Sequence, residues 1–81
     1  MRRHKPEHLA ALAAGHPKWV VAVAFTPAAR RLTALLIERP HTTAALAERA
    51  GYTVGTVNQT LWALRHIGKV EHPAPDQWRI A

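Results

Sequence analysis

Apolar residues recur at helical spacing through most of this 81-residue chain. Leu9, Ala10, Leu12 and Ala13 form a first apolar face. Pro6 suits the first turn of that helix, where its missing N–H costs nothing, and Glu7 places negative charge at the positive end. Gly15 and then Pro17 mark the stop. Leu32, Leu35 and Leu36 repeat the spacing behind Thr26-Pro27, a capping residue followed by a first-turn proline. Arg30, Arg31, Glu38 and Arg39 fall largely on other faces, and Pro40 closes the segment because the residue before a proline is disfavoured in the α region.

A third helix is expected from the cap Thr43 through Ala44, Leu46, Ala47 and Ala50. Gly51 permits the left-handed turn that follows, Tyr52 packs inward from it, and Thr53 caps the next helix. Val57, Leu61, Leu64 and Ile67 are that helix's buried stripe, and Gly68 ends it. Val70 and Ile80 then point inward from two short strands. The connecting tip at 72–77 contains Pro73 and Pro75, each of which removes a ladder donor, so a regular tight hairpin is not expected there. Residues 19–25 read two ways. Trp19, Val20, Val21, Val23 and Phe25 have strand-forming character, yet Trp19, Val20, Val23 and Ala24 share a helix face, and the alanine-rich surroundings favour the helix.

Two short helices around a tight turn, followed by a hairpin, define a motif whose second helix enters the DNA major groove. Thr56-Val57 stands near the start of that second helix, with Leu61 and Leu64 toward the core. Gly68-Lys69-Val70-Glu71 leads into the first strand, and Trp78-Arg79-Ile80 forms the closing one. In these features the last half of the chain resembles the winged helix-turn-helix transcription regulators of bacteria. The fold expected is mainly α with a small β-hairpin: a winged helix-turn-helix over 26–81, preceded by a basic arm and N-terminal helical extension over 1–25. The resemblance implies that helix 53–67 is the recognition helix and hairpin 70–80 the wing.

The charge balance agrees with a polyanionic partner. Eleven Lys and Arg oppose five Asp and Glu, for a formal charge of +6 and a pI near 11.3. Cysteine is absent, which excludes disulfides and thiolate metal sites. No apolar run is long enough to span a bilayer. The opening Met1-Arg2-Arg3-His4-Lys5 superficially resembles a signal-peptide start, but the apolar stretch after it is short and is broken by His16 and Lys18. A cytoplasmic, nucleoid-associated protein is expected. The six histidines are scattered and lack acidic or thiol company, so no metal site is expected. No catalytic constellation appears, and neither an enzyme activity, a cofactor nor a small-molecule ligand is expected.

With Val57, Leu61 and Leu64 inward, Gly55, Thr56, Asn58 and Gln59 point outward near the start of the recognition helix, where base edges are read. Asn and Gln can each present a donor and an acceptor to adenine. The helix has no Lys or Arg before Arg65, so a guanine-reading fork is missing from its start. Phosphate contacts fall to Arg2, Arg3, Lys5, Arg30, Arg31, Thr43, Thr53, Arg65, Lys69 and Arg79. Trp62, on a face expected to be exposed, should pack against the N-terminal segment or a second subunit. Leu9, Leu12, Trp19, Val20 and Val23 form either a homodimer interface or an extension of the core. Double-stranded DNA is the expected partner. The alternatives are a winged-helix protein–protein interaction module and a non-specific DNA-organising protein of a plasmid or phage.

Overall fold

The computed structural model describes residues 6–81, and their side chains from residue 9 onward. Five helices precede a two-stranded antiparallel hairpin: α1 (Pro6–Ala13), α2 (Lys18–Ala24), α3 (Pro27–Glu38), α4 (Thr43–Ala50), α5 (Val54–His66), β1 (Val70–Ala74) and β2 (Gln77–Ile80). The chain is mainly helical with a small hairpin, as the sequence pattern predicts.

The ambiguous segment 19–25 is helical up to Ala24. Pro17 stands at the N-cap of α2, and Val20, Val21 and Ala24 are buried, the spacing of one helix face. The helix packs along α5. That burial outweighs the intrinsic strand preference of its valines, which tertiary contacts routinely override.

In α3, Thr26 Oγ1 accepts from the Ala29 N–H at 3.2 Å and donates to the Val23 carbonyl at 2.9 Å, which ties α2 to α3. The buried face is Ala29, Leu32 and Leu36, and the chain leaves the helix at Arg39, just before Pro40. The cap of α4 is Thr42, not Thr43: Thr42 Oγ1 accepts from the Ala45 N–H at 3.0 Å. Thr43 is the first helical residue, and its hydroxyl has another partner. Gly51 ends α4 at φ 75°, where its N–H and that of Tyr52 both bond the Ala47 carbonyl.

The hairpin is more regular than two prolines predict. Val70 pairs with Ile80, Glu71 with Arg79, and Ala74 with Gln77, leaving only Pro75 and Asp76 as the turn. The irregularity falls instead between Glu71 and Ala74, where Pro73 has no N–H to offer the ladder. On its other edge β2 receives an isolated bridge: His41 N–H donates to the Trp78 carbonyl at 3.0 Å, and Trp78 N–H to the His41 carbonyl at 2.8 Å.

Trp78, Leu32, Leu46, Leu61, Leu64, Val20 and Val57 are the largest fully buried side chains, so all of α2–α5 and β2 share one core. Among the described residues no single helix is long and apolar enough to cross a membrane. The α2–α3 pair, bent by 64°, has that length and composition when taken together, and its apolar residues Val20, Ala24, Leu32 and Leu36 lie in the core.

Candidate nucleic-acid interface

The tight turn at 51–53 sets the start of α5. Thr53 Oγ1 accepts from the Thr56 N–H at 3.2 Å and donates to Thr56 Oγ1 at 3.0 Å. Both threonines are exposed, but their hydroxyls are engaged with each other. Beyond them Val57, Thr60, Leu61, Ala63 and Leu64 are buried, while Gly55, Asn58, Gln59, Trp62 and Arg65 are exposed. The expected outward set is therefore outward. Thr60 differs from its neighbours Asn58 and Gln59: it is buried, and its hydroxyl donates to the Thr56 carbonyl at 2.8 Å. Asn58 and Gln59 make no side-chain hydrogen bond among the described residues, so their amide groups are free for a ligand. The helix carries no Asp or Glu.

Val54, the first residue of α5, is 55% exposed and joins this outward face, although helical spacing from the buried stripe does not single it out. Its signal in the sequence is its position: directly after a cap, it precedes the first inward residue of the stripe.

The candidate phosphate ligands are in different states. Arg30 and Arg31 are exposed on α3 and form no ion pair among the described residues. The Arg65 guanidinium lies 5.2 Å from the Trp62 ring centroid, and Lys69 Nζ lies 5.1 Å from that of Phe25. Both cations are held over an aromatic face, and neither is paired with an acid among the described residues. Arg79 differs: its Nε donates to Glu71 Oε2 at 2.7 Å across the hairpin. Its charge is locally neutralised by that carboxylate. Thr43 has a partner within the fold. Its side chain faces the core boundary, and its hydroxyl accepts from the Trp78 indole N–H at 3.0 Å, which makes it a structural ligand of the hairpin. Arg2, Arg3 and Lys5 lie outside the described residues.

Among the described residues Trp62 packs against the hairpin. It meets Trp78 edge-on at 5.3 Å and His72 edge-on at 5.4 Å, while His72 stacks on Trp78 at 4.0 Å and 9°. His72 Nε2–H donates to the Pro75 carbonyl at 2.8 Å, fastening the hairpin turn. Three rings thus fix the hairpin to α5. His41, one of the scattered histidines, is buried and bridges to Trp78. Its Nδ1–H donates to the Arg39 carbonyl at 2.8 Å and its Nε2 accepts from Arg49 at 2.9 Å, with Arg49 paired to Glu38 at 3.3 Å. This network ties the end of α3 to α4.

Of the apolar N-terminal set, Val20 is fully buried in the intramolecular core and is not available to a second subunit. Val23 is half-buried against the same core, and Leu12 is half-buried. Leu9 and Trp19 remain about half exposed, at 53% and 49%. His16 Nδ1 and His66 Nδ1 approach to 2.9 Å, joining the α1–α2 connection to the end of α5. Among the described residues no three His, Asp or Glu groups are arranged to hold a metal ion.

No family model, curated protein or solved structure matches this chain.

Proposed function

We propose that this chain binds double-stranded DNA as a small transcriptional regulator, folded as a winged helix-turn-helix. In this reading α5 enters the major groove and the β1–β2 hairpin is the wing. The observation that carries it is the outer face of α5. Gly55, Asn58 and Gln59 are exposed, the two amides are unpaired, no acid lies on the helix, and uncompensated Arg65 and Lys69 follow it. Unpaired amides on a helix are suited to base edges, and cations without an acidic partner to phosphates. The element order also supports the reading: α3, a bridging residue at His41, α4, a turn, α5 and a hairpin follow one another as in that motif. Exposed Leu9 and Trp19 are the residues through which two copies would pair on adjacent half-sites.

The Arg79–Glu71 pair and Asp76 at the turn favour a second reading, in which the hairpin side serves a protein partner. Selection of random duplexes at low and near-physiological salt separates the readings. A regulator enriches a motif, and the enrichment is lost on Asn58→Ala or Gln59→Ala. A DNA organiser binds at low salt and enriches nothing. Absence of binding at low salt refutes both DNA readings and leaves the protein-partner reading.

A further inference from the structure

The same face of α5 has a base preference written into its chemistry. We infer that it selects A·T over G·C base pairs in the major groove, with Asn58 on adenine and Val54 on the thymine methyl group; this rests on the DNA-binding reading above. Guanine offers two acceptors there, best met by an Arg or Lys fork, and cytosine a donor, best met by a carboxylate. α5 has neither group before Arg65, and Arg65 is held over Trp62. What the first half of α5 projects is neutral. Val54 and Asn58 are one turn apart, about 6 Å along the axis, both exposed. An amide can accept from adenine N6 and donate to adenine N7, while a valine isopropyl group can cover a thymine methyl but no polar edge.

Gly55, between them, supplies an independent observation. A Cβ built there meets nothing within 4 Å, and its φ is not positive, so neither space nor backbone strain requires glycine. Glycine within a helix is nevertheless less stable than alanine. The fold gains nothing from it, whereas a bare backbone lets a surface approach the start of α5 closely. That surface carries negative charge and apolar methyl groups if it is an A·T-containing groove, which the acid-free, partly apolar face complements.

The test is equilibrium binding of the full 81-residue chain to four duplexes of one length, at fixed salt. One is A·T-rich, one is the same with deoxyuridine for thymidine, one has I·C pairs and one has G·C pairs. I·C presents a G·C-like major groove but an A·T-like minor groove, because inosine lacks the N2 amino group. The expected order places A·T first, with I·C and G·C both weaker by about five- to 150-fold, the range for lost base contacts. Deoxyuridine should weaken wild-type binding about fourfold, one methyl's worth of burial, and leave Val54→Ala unaffected. Gly55→Ala should melt a few degrees higher than wild type while binding the A·T duplex more weakly. Equal binding to A·T and I·C overturns the inference by placing recognition in the minor groove. Equal binding to all four overturns it while leaving DNA binding intact. Failure to bind any duplex removes the underlying reading instead.

Discussion

Replacing Thr43 with valine tests how the hairpin is fixed to the helices. The two side chains have nearly the same shape, so the substitution removes one hydroxyl and little else. In the folded protein that hydroxyl accepts the indole N–H of Trp78 at 3.0 Å, and Trp78 is only 1% exposed. Water has little access to the donor left behind. A buried donor deprived of its partner costs about 1–3 kcal/mol. A domain of this size loses about 4–8 °C of Tm per kcal/mol, so Thr43→Val should melt about 10 °C below wild type. The drop should shrink in a Trp78→Phe background, where no N–H remains to be orphaned. That pairwise coupling is expected at about 1 kcal/mol in a double-mutant cycle. Thermal unfolding followed by circular dichroism measures all four proteins. If Thr43→Val melts within a degree or two of wild type but binds DNA more weakly, the hydroxyl serves a phosphate, and the argument from the indole contact is wrong.

Three other substitutions probe separate links. Gly51 sits at φ 75°, so Gly51→Ala should destabilise by about 1 kcal/mol through left-handed strain, read as a lower urea midpoint with an unchanged slope. Thr53→Ala removes the cap of α5 and should cost about 1 kcal/mol, with amide exchange accelerated first at Thr56 and its neighbours. Glu71→Gln releases Arg79 from its exposed ion pair; stability should move by less than about 1 kcal/mol, while DNA affinity rises and its salt dependence steepens by about 0.9 in log–log slope.

Much of this fold was legible because local signals agreed with one another. Thr26-Pro27, Pro40, Gly51, Thr53 and Gly68 each punctuate the chain by a backbone mechanism that acts over a few residues, and the helix boundaries fall beside them. The stripe Val57, Leu61 and Leu64 needed only the helical period. The remaining features depend on long-range contacts. Residues 19–25, for which the helix is the favoured of two readings, are helical up to Ala24 and pack along α5, far along the chain. Trp62 finds its cover in Trp78 and His72, and Thr43 finds its donor in Trp78, across a hairpin whose register the sequence left open. His41 resembles any loop histidine until β2 is laid beside it. In the candidate interface, periodicity placed Gly55, Asn58 and Gln59 outward. It could not reveal that Glu71 neutralises Arg79 or that the Thr53 and Thr56 hydroxyls bond each other.

In the proposed reading α5 reads bases while the surrounding cations hold phosphates. Fluorescence anisotropy on a selected duplex, titrated across salt concentrations for wild type and for the Asn58→Ala, Gln59→Ala double variant, separates these two contributions. If Arg30, Arg31, Arg65 and Lys69 each neutralise one phosphate, log K should fall with log salt at a slope of about −3.6. The double variant should bind the selected duplex at least about tenfold more weakly with the slope unchanged, because it loses base contacts and no phosphate contacts. Double-variant binding as tight as wild type would rule out base reading by Asn58 and Gln59, and no saturable binding at low salt would rule out DNA binding.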